Sequence, residues 1–226
     1  MKRGIMASGV VIMGLVGCST TPTPNYYSLT PQVSASSTSS VRVIEVLPVG
    51  LPDRLDRPLM VLQQANGQAK VLDNERWTSP LSAELRDGLS AGLQQKLGAV
   101  DRYSSGMTGG KDAYRIATDF SRFDIIEKPT SSGPINQEIA VAVAWTIKLE
   151  KANRVLDASS KSQAVSLNQL SCRMQFSTPV VSTGQKMTDI VNTAQQSLSQ
   201  VVNAVSASVV NLETKKVNNL PNVVCA

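Results

Sequence analysis

Histidine is absent from this 226-residue sequence, and aromatic residues account for only 4% of it. Without histidine, the chain cannot form a Ser-His-Asp triad, use a histidine general base or bind a metal through imidazole. Cysteine is scarce as well, because three widely spaced residues cannot form a thiolate zinc site: Cys18, Cys172 and Cys225. We therefore predict no metal site, no cofactor and no enzymatic activity.

A large excess of positive charge is also missing. The chain has 22 Lys and Arg against 17 Asp and Glu, and two of the cations, Lys2 and Arg3, lie in an N-terminal segment that we expect to be removed. The remaining surplus is small and dispersed along the sequence. We therefore predict no nucleic-acid partner.

Common catalytic motifs are absent. There is no Gly-x-Ser-x-Gly, and the glycine-rich segment Gly106–Gly110 lacks the Lys-Ser/Thr pair of a phosphate-binding loop. Two aspartates in the segment 51–58 could form a carboxylate pair. Arginines alternate with them, however, and an ion-paired turn is the better interpretation.

The first 18 residues indicate export. Lys2 and Arg3 precede an uncharged segment, 4–17, which is shorter than the roughly 20 residues that a membrane-spanning helix needs. A basic start, a short apolar segment and small residues at its end are typical of a secretory signal peptide. This one ends in Leu15-Val16-Gly17-Cys18, which resembles the lipobox of bacterial lipoproteins.

The lipobox resemblance implies a signal peptide over 1–17 and a lipid-modified Cys18, carrying a diacylglycerol and an N-acyl chain such as palmitate. More than one acyl chain forms a stable membrane anchor. Ser19, rather than Asp, follows the cysteine. By the usual sorting rule of enterobacterial-type envelopes, this favours the outer membrane, with the protein facing the periplasm. The alternative is an ordinary signal peptide followed by an incidental cysteine.

The rest of the chain divides into a linker and one domain. Residues 18–40 are predicted to be a tether and a flexible Ser/Thr-rich linker, with a short strand at 26–29. A single domain is expected over 41–226, long enough to bury its own core. Apolar periodicity predicts strands at 41–49, at 114–127, at 135–151 and within 161–176, and a hairpin, 60–62 with 70–72, around Asn66-Gly67.

Two main helices are predicted near 79–97 and 183–212. The first has Ser79 as a cap and Pro80 as its first helical residue, and the second follows a Ser182-x-x-Gln185 capping-box pattern. Helices and strands together predict an α/β fold, a mixed α+β sandwich with one sheet covered by these helices. Alanines alternate with bulky residues in 135–151, and we expect a helix to lie close against the alanine row: Ala140, Ala142 and Ala144.

Two features of the C-terminal part lead to further predictions, one of a disulfide and one of a self-association surface. Cys172 and Cys225 remain as an even pair in an oxidising compartment, which favours a disulfide over two free thiols. The second predicted helix has no charged residue between Asp189 and Glu213. Its polar face is either solvated or a self-association surface, represented by Gln196 and Asn203.

Several motifs occur in a characteristic order. Asn25-Tyr26-Tyr27-Ser28-Leu29 follows the lipobox, and Gly50-Leu51-Pro52-Asp53-Arg54-Leu55-Asp56-Arg57-Pro58 precedes Arg76-Trp77-Thr78-Ser79-Pro80-Leu81. This order resembles the PqiC-type ABC-transport auxiliary lipoproteins over most of the chain. The resemblance implies an α/β domain that works with MCE-domain proteins, the partners in transporters that move lipids between the two envelope membranes.

We therefore expect a non-catalytic, outer-membrane-anchored accessory protein that docks an MCE-type lipid transport system. The segment 51–58 displays apolar residues among charged ones, a pattern suited to an interface. Its candidate partner-binding residues are Leu51, Asp53, Arg54, Leu55 and Arg57. The alternative is an envelope assembly lipoprotein that chaperones or plugs an outer-membrane protein.

Overall fold

The computed structural model describes residues 22–35, 39–106, 111–129, 136–152, 168–215 and 220–226. These residues form nine strands and three helices. The strands are β1 (Asn25–Tyr27), β2 (Val43–Val46), β3 (Leu59–Gln63), β4 (Ala69–Trp77), β5 (Val100–Asp101), β6 (Ala113–Lys128), β7 (Asn136–Glu150), β8 (Gln169–Pro179) and β9 (Val223–Cys225). The helices are α1 (Leu81–Leu97), α2 (Arg102–Ser105) and α3 (Lys186–Thr214).

All described strands belong to one mixed sheet with the order β1-β4-β3-β6-β7-β8-β9. Strand β2 pairs with β5 and, in parallel, with β6. The long antiparallel pairs β6–β7 and β7–β8 form the centre, where the alternating pattern predicted strands. The hairpin β3–β4 surrounds Asn66-Gly67 as expected. The predicted α+β fold with two main helices is confirmed, although the strand expected at 41–49 is limited to β2.

Strand β7 shows which face the helices cover. Its bulky row, which includes Val143, Trp145 and Ile147, is buried in one cluster with apolar residues of α1 and α3. On the opposite face, Ala144 is exposed and Ala142 is half-buried. Ala140 is buried, opposite Asp124 in the sheet register, but it is not part of the cluster that contains the helices. The expectation of a helix against the alanine row is therefore wrong. The helices pack where a row of large side chains offers more apolar area to bury.

Helix α1 packs through one leucine row and two glycines. The buried leucines recur every four residues: Leu81, Leu85, Leu89, Leu93 and Leu97. A Cβ added at Gly88 would lie 2.5 Å from the carbonyl oxygen of Leu29 and 2.6 Å from Cδ2 of Leu198 on α3. At Gly92 it would lie 2.9 Å from Val202. The glycines thus allow α3 and the N-terminal segment to approach the backbone of α1 closely.

The helix starts differ from the prediction. Pro80 is the N-cap of α1 rather than its first residue, and Ser79 Oγ donates to Glu84 at 2.8 Å instead of capping the helix. Helix α3 begins at Lys186 with Gln185 as N-cap and has no side-chain capping bond, so the capping box is wrong. Instead, Asp189 accepts bonds from the backbone N and Oγ1 of Thr183. These bonds lower the pKa of Asp189 below its ordinary value.

The N-terminal segment packs on the domain earlier than predicted. Strand β1 pairs in parallel with β4, and residues 28–32, which we call the strap, lie between α1 and α3. In the strap, the backbone N of Leu29 donates to buried Glu84 at 3.0 Å, and the Leu29 side chain is only 2% exposed. The backbone N of Gln32 donates to Ser199 Oγ at 2.9 Å. The flexible linker expected after the short strand at 26–29 is therefore wrong for residues 30–32, because Pro31 packs against α1 and the amide of Gln32 finds a partner on α3.

Candidate functional site

The segment 51–58 divides its side chains between the core and the surface. Its turn is closed by a bond from the backbone N of Leu55 to the carbonyl oxygen of Pro52 at 2.8 Å. The turn directs Leu55 into the core, where it is 5% exposed and lines a small cleft with Trp77 and Leu81. The prediction that Leu55 is displayed to a partner is therefore wrong. Leu51 is half-buried, and Asp53 is exposed.

Arginines of this segment reach the sheet face opposite α1 and α3, which we call the open face. Arg54 Nη1 donates to Asp124 Oδ1 at 2.8 Å, and this bond raises the pKa of Arg54 above its ordinary value. On the other side of the same carboxylate, Arg122 Nε donates to Oδ2 at 3.4 Å. Asp124 itself is buried. One buried carboxylate on β6 thus positions two arginines.

A groove of about 530 Å³ lies beside this carboxylate. We call it the arginine groove; its lining residues are Arg54, Arg57, Val61, Gln63, Ala69, Val71, Arg122, Asp124 and Ile126. It joins the segment 51–58 to β3, β4 and β6. The sequence suggested Arg54 and Arg57 but not Arg122, because Arg122 is 65 positions further along the chain than Arg57 and only the sheet brings them together.

The other end of the open face carries a balanced ion-pair cluster. Arg102 donates to Glu45 at 3.1 Å through Nε and to Glu150 at 2.5 Å through Nη2. Arg115 Nη1 donates to Glu150 at 3.2 Å. These bonds lower the pKa of Glu150, with Arg102 as the largest cause. Here two arginines are paired with two carboxylates, whereas the groove lining has three arginines and one carboxylate, which bonds to Arg54 and Arg122.

Between these ends, the alanine row forms the floor of a second groove of about 590 Å³. Its polar lining residues include Asp119 on β6 and Arg173 and Gln175 on β8. Ala144 lies between Asp119 and Arg173 in the sheet register. Small side chains therefore lower the middle of the open face between longer polar neighbours.

On the helical side, α3 leaves a narrow polar stripe in solvent. Its exposed residues are Asn192, Gln196, Gln200 and Asn203. The residues between them are mostly buried, including the hydroxyl-bearing Ser197 and Ser208. Gln196 and Asn203 therefore lie on the surface. Lys96 of α1 lines a groove beside Asn203, so charge is present next to the stripe.

The predicted disulfide between Cys172 and Cys225 is present. Cys172 on β8 faces Cys225 on β9 in the sheet register, so the bond holds the last strand on the edge of the sheet. The other predicted cysteine site, Cys18, lies outside the described residues.

Chemically, these surfaces are suited to binding. Within the described ranges, we find no group of three or more His, Cys, Asp or Glu residues arranged to hold a metal ion. Among the helices described, none combines the length and apolarity needed to cross a bilayer. The arginine groove, the alanine floor and the α3 stripe present cations, small apolar side chains and neutral amides, respectively.

The strands and helices described above define a one-sheet α+β domain. The model of the family described as "ABC-type transport auxiliary lipoprotein component" matches residues 27–206, and this chain belongs to that family. The family prediction made from the motif order is confirmed. The chain is therefore an auxiliary lipoprotein component of ABC-type transport.

Solved structures show the same fold. A crystal structure of an uncharacterized protein has a TM-score of 0.58 at 18% identity, covering 83% of this chain and 99% of that one. Protein XCC0632 from Xanthomonas campestris, of family DUF330, has a TM-score of 0.59 at 13% identity, covering 84% of this chain and 98% of its own. No curated protein sequence matches this chain.

Proposed function

We propose that this protein is anchored in the outer membrane through lipid on Cys18 and docks an MCE-domain protein of an ABC-linked lipid transport system. The observation that carries this proposal is the family match over 27–206 in a chain whose residues Leu15 to Cys18 resemble a lipobox. The protein acts as a non-catalytic scaffold: the lipid fixes it to one membrane, and the domain holds the periplasmic end of the partner.

The folded N-terminal segment makes this scaffold short. Strand β1 begins at Asn25, seven positions after Cys18, because it pairs with β4. Seven extended residues reach at most about 25 Å. The flexible linker expected over 18–40 would have allowed the domain to move much further. We infer that the domain works next to the membrane surface.

The segment 51–58 remains our proposed partner contact, now through Leu51 and Asp53. Asp53 is exposed, and Leu51 is half-buried beside it, so the pair presents one charge and some apolar surface. Since Leu55 is buried, it does not take part. Mixed apolar and polar character of this kind is typical of the rim of a protein interface.

Co-purification tests the docking proposal. Tagged full-length protein is solubilised from native membranes, and we expect an MCE-domain protein to be recovered with it. Asp53→Lys should reduce this recovery at least threefold. The matched control is Asp73→Lys, which makes the same change at an exposed aspartate on β4. It should leave the recovery of the MCE-domain protein unchanged. Recovery of an outer-membrane protein with no MCE-domain protein would contradict the proposal.

The anchor is tested separately. Cys18→Ala removes the thiol that would carry the lipid, so we expect an unprocessed or mislocalised protein on membrane fractionation. Normal outer-membrane fractionation of this variant would contradict lipid attachment at Cys18.

We also propose self-association through the α3 stripe. Gln196 and Asn203 are exposed on a stripe without charged residues, so Gln196→Lys combined with Asn203→Lys places like charges on both copies of such an interface. Light scattering of purified protein should show a smaller assembly for this double variant. If the parent and the double variant form assemblies of the same mass in solution, the proposal is contradicted.

A further inference from the structure

We propose that the arginine groove binds the phosphate headgroup of an anionic phospholipid in the membrane that holds the anchor. This inference depends on the lipid attachment at Cys18 that is part of the proposed function. It adds a direct contact between the folded domain and lipid, and that contact is separate from docking of a protein partner.

The charge of the groove is the first argument. Three arginines line it, Arg54, Arg57 and Arg122, and Asp124 is the acidic residue among the lining side chains. At the other end of the open face, Arg102 and Arg115 are each ion-paired to glutamates. Within the groove lining, three guanidinium groups are accompanied by one carboxylate, which leaves a surplus of positive charge. Such a surplus attracts anions.

The hydrogen-bonding state of Arg57 is the second argument. Its Nε is shielded from solvent and has no acceptor among the described residues. Arg76 and Arg86 also have a shielded Nε without an acceptor, but of these three arginines Arg57 is the one that lines the groove. A bound phosphate would supply the missing acceptor. Guanidinium groups match phosphate geometry because two parallel N–H groups can contact two phosphate oxygens. Asp124 holds Arg54 in place through one of its oxygens, so part of the site is already ordered.

The apolar lining is the third argument. Val61, Val71 and Ile126 line the same groove as the arginines, and Val71 is 36% exposed. A site for a small inorganic anion has little use for this apolar surface. A phospholipid headgroup with the first part of its glycerol and acyl region can use both. The groove is therefore amphipathic in the same sense as its proposed ligand.

The position of the anchor is the fourth argument. Strand β1 is parallel to β4 with Asn25 opposite Glu75, so the chain before β1 continues towards residues 71–74 of β4. Val71 lies four positions before Glu75, or about 13 Å along the strand. The N-terminal end of β1 therefore lies towards the end of β4 that lines the groove. With a reach of at most about 25 Å, the lipid anchor brings headgroups of its own membrane close to the groove.

An acidic segment of a partner protein is the competing occupant. It would satisfy the arginines, but neither the apolar lining nor the direction of the anchor chain favours it. The experiment includes it as a separate arm.

Binding is measured by calorimetry at low salt on the full-length lipoprotein in an uncharged detergent. The four titrants are dihexanoyl phosphatidylglycerol, dihexanoyl phosphatidylcholine, inorganic phosphate and hexaglutamate. We expect the phosphatidylglycerol to bind at least tenfold more tightly than each of the others.

Two variants place the site. Arg57→Gln combined with Arg122→Gln should weaken phosphatidylglycerol binding at least tenfold, because it removes two cations and leaves the Arg54–Asp124 pair intact. Arg173→Gln removes an exposed arginine on the same sheet face but in the other groove, and it should change affinity less than twofold. Thermal unfolding of each variant confirms that it is folded. If the double variant is unstable, Arg57→Gln alone serves, with an expected loss of at least threefold.

Four results would overturn the proposal. Equal affinity for the two phospholipids removes the role of charge, and equal affinity for inorganic phosphate makes the site one for free anions. Tighter binding of hexaglutamate assigns the groove to an acidic protein segment. An equal loss in Arg173→Gln shows a general charge effect. None of these results affects the co-purification test, which depends on Asp53.

Discussion

One strand shows how differently the two faces of this sheet are built. On β7, Trp145 is 2% exposed beneath α3, whereas its neighbour Ala144 points to the open face and is exposed. The covered face holds the apolar core, and the open face holds arginines, an ion-pair cluster and the alanine floor. The apolar core thus lies on one side of these strands, and the proposed lipid-binding groove lies on the other. Variants in the core should therefore change stability with little effect on the proposed lipid binding. Variants in the groove should change binding with little effect on stability.

The sharpest test of this comparison uses neighbouring residues on β7. Trp145→Ala removes a large core side chain and should lower the free energy of unfolding by about 3–5 kcal/mol, measured by denaturant titration. Ala144→Met, the matched control on the open face, should change it by less than about 0.5 kcal/mol. A comparable loss in both variants would mean that the alanine row is covered after all.

The disulfide should give the next largest effect. It joins residues 53 positions apart, and the chain-entropy model assigns about 4 kcal/mol to a loop of this size. We expect Cys225→Ser to lose most of this stability, measured by unfolding under oxidising conditions. Val224→Ser, at the exposed neighbouring position, is the control. Equal stability of Cys225→Ser and the parent would show that the disulfide to β9 contributes little to the stability of the fold.

The close packing of α1, α3 and the strap predicts a smaller loss. Gly88→Ala places a Cβ against Leu29 and Leu198 and should cost about 1–3 kcal/mol. By helix propensity alone, replacing this glycine with alanine would raise the stability by about 1 kcal/mol. The sign of the measured change therefore distinguishes the two effects. Ala91→Ser, on an exposed position of α1, is the control. Stabilisation by Gly88→Ala would show that the strap does not lie against the glycine.

The open face should contribute least, and its contribution should depend on pH. Because Arg102 and Arg115 lower the pKa of Glu150, this carboxylate stabilises the fold above its ordinary pKa of 4.5. The contribution is lost as the pH falls through the lower folded-state value. The pair is partly exposed, so we expect less than about 1 kcal/mol.

Glu150→Gln should therefore reduce the loss of stability between pH 5 and pH 3, measured by chemical unfolding at each pH. Asp73→Asn, at an exposed position on β4, is the control and should leave the dependence unchanged. An unaltered acid dependence in Glu150→Gln would assign it to other carboxylates, such as Asp189, whose pKa is also lowered.

Local patterns were sufficient for much of this fold. Strict alternation in β7 and a leucine every fourth residue in α1 are signals carried by neighbouring positions, and both elements lie where they were expected. The hairpin at Asn66-Gly67 has the same basis, and Gly67 has the positive φ that this turn requires. Cysteine pairing was predicted because the assignment of Cys18 to lipid attachment leaves one pair, Cys172 and Cys225.

Contacts between distant segments could not be read in this way. Leu55 lies in a segment with two prolines and four charged residues, and only the turn at Pro52 shows that it points inward. The strap has the composition of a linker. Its packing could not be predicted because its partners, Glu84 and Ser199, are on helices far along the chain. The arginine groove likewise needs three separate segments to meet.

The parallel pairing of β1 with β4 has a mechanical consequence. A pull transmitted through the lipid anchor proposed at Cys18 would enter the domain at β1, and its component along the strand would load the pairing of β1 with β4. Three paired positions, Asn25 to Tyr27, then bear the load together in shear rather than separating one after another. Behind them, the strap is held by both α1 and α3. A lipoprotein attached between a membrane and a moving transporter would resist detachment best when loaded from this terminus.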